Sequence, residues 1–471
     1  MQARIFFGST EASTNNQSER KSPYSGEVVS TAPVCDAKDA LRALKIASNA
    51  AKSAKSSTLS QRCDWLLDVA SKLREQKEDI AKTITDEVGK PIAFARVEVE
   101  RCIETVTLSA ETMRTMHGET INTDAMSSGK KTISFFRREP VGVVVAITPF
   151  NFPLNLVAHK LAPALVAGNA VVLKPTPEAP LTAYKFAKLF IESKYAVKDA
   201  LSVVYGDAEV GSALITSDIP RVVSFTGSVP VGEIIGKNAG IKKVGLELGG
   251  NAATFVEKSA DLAYAAARCA LGAFVNSGQV CISLQRIYVQ AEVYEEFASL
   301  MAEETKKLKV GSPYDEDTFM GPLIDDEAAS RAMGWIESAI EEGATPLLPP
   351  KREGRMFYPC VMANVTDDMA IVCEEVFAPI VSLVRVDSLD DALPRMNNSP
   401  YGLQFSVFTN DLGVMNRAID ELDAGGIVIN DMPTLRFDIQ PYGGVKLSGV
   451  GREGPRFAIE EMTEIKSVVI C

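Results

Sequence analysis

Apolar and polar positions divide the chain into two kinds of pattern. In the first 120 residues or so, apolar side chains recur three and four residues apart, as in amphipathic helices (Leu41, Leu44 and Ala47; Leu66, Val69, Ala70 and Leu73). From residue 141, short apolar runs at 141–147, 170–173, 201–205, 221–225 and 244–247 alternate with helical stretches at 156–165, 181–191, 210–214 and 231–238. Strands separated by helices of this length predict parallel βαβ units, and hence an α/β fold with an open twisted sheet covered on both faces.

The turns after these predicted strands are where a ligand is expected, because open parallel sheets bind ligands beyond the carboxyl ends of their strands. Polar or glycine-rich turns follow four of the strands, at 148–153, 174–177, 226–232 and 247–250. Gly227 and Gly232 bracket a helix start at which Ser228 could cap the helix or donate to a phosphate. The GxGxxG fingerprint is absent, so this turn alone identifies no ligand.

Cys281 and Glu247, 34 residues apart, suggest a particular chemistry. A thiolate adds to an aldehyde carbonyl, and the thioester formed later needs a base-activated water to release an acid. Inert core packing is the common alternative for a cysteine. We assign inert core packing to the other seven cysteines, because they form no CxxC pair and no metal-like spacing with histidine (Cys35, Cys63, Cys102, Cys269, Cys360, Cys373 and Cys471). Cys281 differs because a Gly-Gln turn precedes it and a polar, strand-forming segment follows.

Composition narrows the class of protein. The 471 residues, 46% hydrophobic and 23% charged, can bury a large core and form more than one domain. A net charge of −12 argues against nucleic-acid or anionic-membrane partners, and no apolar run approaches the roughly 20 residues of a membrane span. Free cysteines and the lack of a signal-like N-terminus favour the cytoplasm. The two histidines, His117 and His159, are not paired for a metal site or a Ser-His triad, so no metal is predicted.

Seven short motifs occur along the chain in a fixed order. They comprise Pro149-Phe150-Asn151-Phe152-Pro153, Lys174-Pro175, Phe225-Thr226-Gly227-Ser228, Glu247-Leu248-Gly249-Gly250, Gly278-Gln279-Val280-Cys281, Glu374-Glu375-Val376-Phe377-Ala378-Pro379 and Pro441-Tyr442-Gly443-Gly444. Over nearly its whole length the chain resembles the NAD(P)-dependent aldehyde dehydrogenase superfamily. That resemblance implies oxidation of an aldehyde to a carboxylic acid.

The resemblance implies three catalytic residues. Cys281 would attack the aldehyde carbon, and the oxyanion would be held by the side-chain amide of Asn151 and the backbone amide of Cys281. Hydride transfer to nicotinamide would leave a thioester, and Glu247 would deprotonate the hydrolytic water.

The implied cofactor is NAD or NADP. Lys174 would contact the adenosine ribose or its phosphate, Ser228 the pyrophosphate and Glu375 the nicotinamide ribose, with Phe377 packed beside it. The full cofactor set is Ile147, Thr148, Pro149, Phe150, Lys174, Thr176, Pro177, Gly206, Gly227, Ser228, Gly232, Leu248, Glu375 and Phe377. Pro177 stands where NAD-specific relatives often place a glutamate, which predicts that NADP is accepted or preferred, although Glu178 could partly replace that group. Ala378 replaces the usual glycine and is expected only to adjust the turn.

The implied domains are an NAD(P)-binding domain at 1–121 and 142–247, a catalytic domain at 248–452, and oligomerisation strands at 122–141 and 453–471. Strands are expected at 286–289, 403–408 and 427–430, and at 132–136 and 465–470 outside both main units. In the family such outer strands pair across subunits, and an exposed apolar edge is a hazard in a monomer, so a homodimer or homotetramer is expected.

Substrate identity stays open at the level of sequence. Arg101 and Arg436 fall in segments that line the substrate mouth of similar enzymes, where arginine could clamp a carboxylate or phosphate. Pairing with Glu98, Glu100 or Asp438 within the chain is the alternative. Succinate semialdehyde, lactaldehyde and glyceraldehyde 3-phosphate all remain candidates. A coenzyme A-acylating enzyme or a non-catalytic nucleotide-binding relative are the alternative functions, and the presence of Glu247, Cys281 and Asn151 argues against both.

Overall fold

The computed structural model describes the chain from Met1 to Cys471. Its helices are α1 Ala37–Ser56, α2 Leu59–Glu75, α3 Lys77–Val88, α4 Ile92–Thr115, α5 Asn155–Val166, α6 Pro180–Ile191, α7 Ala208–Thr216, α8 Val229–Asn238, α9 Leu262–Phe274, α10 Tyr294–Lys306, α11 Asp326–Glu341, α12 Ala370–Cys373, α13 Leu389–Asn397, α14 Leu412–Glu421 and α15 Pro455–Glu461. Its strands are β1 Ile5–Phe7, β2 Thr10–Ala12, β3 Gln17–Lys21, β4 Val28–Pro33, β5 Glu119–Thr120, β6 Ile133–Pro140, β7 Val143–Ile147, β8 Ala170–Lys174, β9 Leu201–Val203, β10 Val222–Thr226, β11 Lys243–Glu247, β12 Ala252–Val256, β13 Leu284–Gln290, β14 Thr345–Pro346, β15 Arg352–Glu353, β16 Met356–Phe357, β17 Cys360–Ala363, β18 Ile380–Val386, β19 Tyr401–Gly402, β20 Gln404–Phe408, β21 Gly426–Ile429, β22 Val445–Lys446, β23 Gly449–Val450 and β24 Thr463–Ile470.

The first sheet contains the five strands predicted between residues 141 and 247. Its order is β2-β1-β9-β8-β7-β10-β11-β23, and the central strands β9, β8, β7, β10 and β11 are parallel. Antiparallel strands close both ends, with β1 against β9 and β23 against β11. The predicted βαβ architecture is therefore confirmed, and its order places the ends of β7, β10 and β11 side by side.

Helices cover this sheet because their apolar faces are buried against it. α1 begins at a capping box, in which the Asp36 carboxylate accepts from the backbone N–H groups of Lys38 and Asp39. α5 is buried along its whole length, which accounts for the absence of a polar face in its sequence. His159 and Lys160 lie on that helix, so both polar side chains must find partners inside the protein.

The second sheet has the order β14-β17-β18-β13-β12-β20-β21 and is parallel except at β14. It includes the strands predicted at 286–289, 403–408 and 427–430. β12 directly follows the turn after β11, so the chain passes from one sheet into the other at residues 248–251.

A third, three-stranded sheet lies outside both, in the order β24-β6-β5. β6 and β24 pair in register from Thr463 opposite Pro140 to Ile470 opposite Ile133. Both outer strands were predicted. β24 is the edge of this sheet, and most of its residues are exposed.

The predicted domain bounds remain a prediction. β23, from the range assigned to the catalytic domain, pairs with β11 of the first sheet, and α15 packs on α5 and α4 ahead of the outer strand β24. No helix combines the length and the apolar content needed to cross a membrane.

Candidate active site

A cavity of about 390 Å³ lies at the carboxyl end of the first sheet. The turns after β7, β10 and β11 form one side of it, and residues 280–282 before β13 form another. Side chains from the loops at 375–377 and 434–442 complete the wall. The strand order thus brings together segments that are far apart in the sequence.

The turn before Cys281 has an unusual backbone. Asn276, Ser277 and Gly278 all adopt the left-handed conformation, with φ values of 51°, 56° and 73°. A Cβ on Gly278 would lie 2.3 Å from the carbonyl oxygen of Ala378, so glycine is required there on two grounds. Two successive non-glycine residues in this region are uncommon and need support from their surroundings.

Hydrogen bonds to other segments supply that support. Ser277 Oγ donates to the carbonyl of Gly321 at 2.8 Å, and the backbone N–H of Ile324 donates to Gln279 Oε1 at 2.9 Å. Gln279 Nε2 donates to the carbonyl of Asn276 at 3.2 Å. The turn is therefore fixed by two contacts with distant segments and by one local hydrogen bond from Gln279.

Cys281 lies partly buried on the cavity wall, with its Sγ 2.9 Å from the Tyr442 hydroxyl. Burial raises the pKa of the thiol to about 11, while the Tyr442 hydrogen bond and the Arg436 charge act in the opposite direction. The backbone N–H of Cys281 has no acceptor within the chain. Asn151 Nδ2 uses one hydrogen on the carbonyl of Gln279 at 3.1 Å, which leaves its second hydrogen free.

Glu247 ends β11 on the cavity wall, where it is buried and its Oε2 lacks any hydrogen bond. Burial and the neighbouring Glu453 raise its pKa well above the usual range, against the opposing charges of Lys160 and Arg436. A carboxyl with a raised pKa holds and releases protons nearer neutrality than an exposed one does.

Glu453, unlike Glu247, has a lowered pKa and is ionised. Lys160 Nζ lies 2.9 Å from its Oε1 and also donates to Ser224 Oγ at 3.2 Å. Although burial opposes ionisation, the charges of Lys160, His159 and Arg436 lower the pKa of Glu453 to about 2. The two carboxyls at this end of the cavity therefore differ, one ionised and the other readily protonated.

Both predicted substrate arginines line the cavity, and both are paired within the chain. Arg101 donates twice to the Asp438 carboxylate, at 2.9 and 2.8 Å. His159 Nε2 is 2.9 Å from Asp438 Oδ1, and Arg436 Nη2 is 3.2 Å from Glu453 Oε2. The pairing alternative is thus correct for Asp438.

The other two acids proposed as partners bind elsewhere. Glu98 forms a buried pair with Lys90, and Glu100 pairs with Lys77 at 2.5 Å. Arg436 Nε lies 3.5 Å from Asp438 Oδ1 but makes no hydrogen bond, so this nitrogen keeps a hydrogen for a ligand.

The helix start at the end of β10 is open to an anion. Ser228 is the N-cap residue of α8, yet its side chain makes no capping hydrogen bond, and the neighbouring Thr226 Oγ1 is buried without a partner. A Cβ on Gly232 would lie 2.5 Å from a Leu248 methyl, so the helix packs tightly against the turn after β11. Unpaired N–H groups at such a start suit a phosphate.

Lys174 at the end of β8 is buried, and its amine donates only to the Pro175 carbonyl at 3.5 Å. Burial lowers the pKa of this amine, with Glu178 and Asp207 opposing that change. Thr176 Oγ1 donates to the Glu178 carboxylate. A buried amine without a contacting carboxylate has capacity for a ligand oxygen.

Glu375 faces the same cavity. The backbone N–H of Gly250 donates to its Oε1 at 3.0 Å, and burial raises its pKa to about 7. Phe377, at φ 48°, packs edge-on against Phe150 with 6.0 Å between ring centroids. These residues form an acceptor and an aromatic wall beside the turn after β11.

The cavity gathers most of the predicted site residues but not all of them. Those that line it are Arg101, Pro149, Phe150, Asn151, Gly227, Ser228, Glu247, Leu248, Cys281, Glu375, Phe377 and Arg436. Those that lie outside its wall, at or near the ends of β7, β8 and β9 and in α8, are Ile147, Thr148, Lys174, Thr176, Pro177, Gly206 and Gly232. No group of three or more His, Cys, Asp or Glu side chains is arranged to hold a metal ion.

Sequence reasoning assigned no role to Tyr442, Lys160, Glu453 or His159. Tyr442 lies in the motif at 441–444, which could have indicated a role in the site. The charged Lys160 in an otherwise apolar helix could likewise have indicated a buried partner. Glu453 carried no signal, because its partners come from other segments.

Fold and cavity together define a class, the NAD(P)-dependent oxidoreductases that act on aldehydes. A sequence model of the aldehyde dehydrogenase family matches residues 10–468. The chain is 45% identical over 423 residues to a 3-sulfolactaldehyde dehydrogenase of Priestia megaterium, covering 89% of this chain and 88% of the relative. It is 40% identical over 456 residues to a lactaldehyde dehydrogenase of Methanococcus aeolicus, covering 96% and 97%.

The fold of one solved structure superimposes on the entire chain. The NADP-dependent glyceraldehyde-3-phosphate dehydrogenase of Bacillus halodurans, complexed with NADP, superimposes with a TM-score of 0.97 at 34% identity, covering 100% of this chain and 99% of that one. The chain belongs to the aldehyde dehydrogenase family, and its reaction is the NAD(P)-dependent oxidation of an aldehyde.

Proposed function

We propose that this enzyme oxidises a short 2-hydroxyaldehyde to its carboxylic acid, with Cys281 as nucleophile, Asn151 as oxyanion donor and Glu247 as general base. One observation carries the proposal: these three residues come from separate segments and line one cavity. That arrangement supplies an attacking sulfur, a hydrogen-bond donor and a proton acceptor within a single enclosed space.

In the first half of the reaction the Cys281 thiolate forms a bond to the aldehyde carbon. The carbonyl electron pair moves to oxygen, and that oxyanion accepts from the Cys281 backbone N–H and the free Asn151 amide hydrogen. Both donors are held in place before the substrate arrives, which is the condition for strong electrostatic stabilisation.

The cofactor residues fit a dinucleotide. When bound, NAD(P)+ supplies the hydride acceptor. The uncapped start of α8 with Ser228 would hold the pyrophosphate, Lys174 the adenosine ribose or its phosphate, and Glu375 the nicotinamide ribose hydroxyls.

In the second half Glu247 removes a proton from water as the water oxygen bonds to the thioester carbon. The carbon–sulfur bond then breaks, which releases the acid and returns the thiolate. Glu247 suits this role because its Oε2 is unpartnered and its raised pKa makes it a better proton acceptor than an exposed carboxylate. This residue also argues against the coenzyme A-acylating alternative, which needs no water-activating base.

The substrate class follows from a feature that several relatives' names share. Lactaldehyde, 3-sulfolactaldehyde and glyceraldehyde 3-phosphate each carry a hydroxyl on the carbon next to the aldehyde. The cavity wall also contains Arg436, whose Nε makes no hydrogen bond but lies 3.5 Å from Asp438 Oδ1, and the unpartnered hydroxyl of Thr434. We assign these two groups to the substrate hydroxyl and to a polar or anionic substituent on the third carbon.

NADP is proposed as an accepted cofactor. Pro177 offers no carboxylate to repel a 2′-phosphate, Lys174 has no ion-pair partner, and the nearby Glu178 is hydrogen-bonded to Thr176. The NADP complex of the structural neighbour supports the same proposal.

The test is the initial rate of nicotinamide reduction for lactaldehyde, 3-sulfolactaldehyde, glyceraldehyde 3-phosphate and succinate semialdehyde, each with NAD and NADP. Cys281→Ser is expected to abolish turnover, whereas Glu247→Gln is expected to give one rapid turnover followed by a steady rate lowered at least about a hundredfold, since general-base catalysis contributes that much. Cys471→Ser, at an exposed position outside the cavity, is the matched control.

A strict requirement for coenzyme A would replace the hydrolytic proposal with the acylating one. Faster oxidation of succinate semialdehyde than of all three 2-hydroxyaldehydes would reject the proposed substrate class. An NADP rate far below the NAD rate would reject the cofactor proposal alone.

Assembly and location are part of the proposal. The exposed edge of β24, with Ile465 and Val469 on its surface, supports a homodimer or homotetramer formed through the third sheet. All eight cysteines are unpaired, which supports a reducing, cytoplasmic location.

A further inference from the structure

Tyr442 contacts the reacting sulfur and has no role in the scheme above. It lies in the loop after β21, and its Oη is 2.9 Å from Cys281 Sγ. The side chain is 6% exposed and packs with the apolar residues Val280, Ile282 and Leu403. The hydroxyl is therefore held against the sulfur by a packed ring rather than by a mobile chain.

The direction of this hydrogen bond depends on the state of the sulfur. A thiol and a phenol can each donate to the other, but a thiolate has no hydrogen, so only the Tyr442 hydroxyl can donate once Cys281 is ionised. Hydrogen bonds to a charged atom are stronger than those between neutral groups. The contact therefore favours the thiolate over the thiol.

Arg436 strengthens the effect through the ring of Tyr442. Its guanidinium carbon lies 3.7 Å from the Tyr442 ring centroid. A cation over the face of a phenol draws electron density from the ring and makes the O–H a better donor. The same guanidinium carries a positive charge close to the sulfur.

We propose that Tyr442 is a further catalytic residue, whose hydroxyl donates to the Cys281 thiolate and so increases the ionised fraction of the nucleophile and holds it aimed into the cavity. This inference rests on the proposed function, in which Cys281 attacks the substrate. The thiol proton leaves to water in the cavity, and Tyr442 retains its own proton throughout.

The surrounding charges agree with this role. Burial raises the pKa of Tyr442 well above the ordinary value, so the phenol stays a donor. The groups that face Cys281 are Tyr442 and Arg436, which favour the thiolate, and Glu375 and Glu247, which disfavour it. Removing the hydroxyl leaves Arg436 alone to offset burial and two carboxyls.

The experiment compares Tyr442→Phe with the wild-type enzyme by the pH dependence of iodoacetamide alkylation. Tandem mass spectrometry follows Cys281 in the tryptic peptide 269–286, which also contains the fully buried Cys269. We expect the apparent pKa of Cys281 to rise by about one unit, with alkylation at neutral pH about tenfold slower. An unchanged alkylation profile overturns the inference.

Tyr205→Phe is the matched control, because it also removes a buried hydroxyl, one that has no hydrogen-bond partner and lies outside the cavity. It is expected to leave the profile unchanged, and an equal shift in this variant would overturn the role of Tyr442. Replacement of the 11 tyrosines by 3-fluorotyrosine, a more acidic phenol, tests the same bond without deleting it. Its expected result is a lower apparent pKa of Cys281, and a higher one counts against the inference.

The Cys281→Ser variant distinguishes failure of the proposed function from failure of the role of Tyr442. Turnover that survives in this variant would reject Cys281 as nucleophile and with it the proposed function. An inactive Cys281→Ser together with a wild-type alkylation profile in Tyr442→Phe would reject the inference alone.

Discussion

Glu375 is the side chain through which pH is expected to act on cofactor binding. Burial raises its pKa to about 7, with the Gly250 N–H and the Arg331 charge opposing that change. The carboxylate form, which accepts hydrogen bonds from ribose hydroxyls, therefore predominates above pH 7, and the protonated form predominates below it.

We predict that the KM for the nicotinamide cofactor rises as the pH falls through 7, approaching about tenfold per pH unit below it. Glu375→Gln should have a high KM that no longer varies over this range, because its side chain does not titrate. Steady-state kinetics at saturating aldehyde give both values. A wild-type KM that is flat across neutrality would contradict the prediction.

The predictability of individual residues depended on where their partners lie in the chain. Cys281, Glu247 and Asn151 could be singled out because each occupies a recognisable local motif, and the cavity contains all three. The partner of Arg101 is Asp438, 337 residues away, chosen by packing between α4 and the loop after β21. No spacing rule could have preferred it to the adjacent Glu98 and Glu100.

Among the elements, the turn between β11 and β12 leaves no room for side chains at its glycines. A Cβ on Gly250 would lie 2.1 Å from the carbonyl oxygen of Cys281, and one on Gly249 would lie 2.4 Å from Glu375 Oε2. This turn therefore sets how closely the base strand approaches both the nucleophile and the cofactor carboxylate.

We predict that Gly250→Ala displaces the Cys281 backbone and lowers kcat at least about tenfold, while overpacking costs roughly 1–3 kcal/mol of stability. Gly245→Ala is the control: it lies in β11, and the nearest atom to its Cβ, Ser224 Oγ, is 4.0 Å away. Enzyme kinetics and urea unfolding measure the two effects. Equal kcat values in the two variants would show that the close approach is not needed.

Strand positions could be predicted because five apolar runs match β7 to β11 to within a few residues. The order of the strands could not, since β1, β2 and β23 join the first sheet from distant parts of the chain by backbone pairing alone. Such pairing has little side-chain signature in strands of two or three residues.

For the molecule as a whole, the third sheet presents an exposed apolar edge. Ile465, Val469 and Ile470 of β24 are each more than half exposed, as is Ile133 of β6. An exposed apolar edge strand favours pairing with another chain. Self-association through this sheet is the simplest way to remove the edge from water.

We predict that the double substitution Ile465→Lys/Val469→Lys weakens self-association, because lysines on an edge strand oppose pairing. Sedimentation velocity should show a smaller species than the wild-type assembly. Ile241→Lys, at a fully exposed isoleucine outside the sheet, should leave the assembly unchanged. A wild-type chain that sediments as a monomer would refute this proposed interface.

The left-handed turn at 276–278 bears on how the enzyme is made. Two of its stabilising contacts come from Gly321 and Ile324, and its close neighbour is Ala378, all synthesised after Cys281. The first 281 residues supply hydrogen bonds between Asn276 and Gln279 and from Asn276 to the Asn151 carbonyl, but none of the contacts with Gly321, Ile324 or Ala378. We therefore expect a growing chain on the ribosome to carry an ordinary thiol at this position, which becomes a reactive one only when the chain as far as Tyr442, 161 residues further on, has been added and folded.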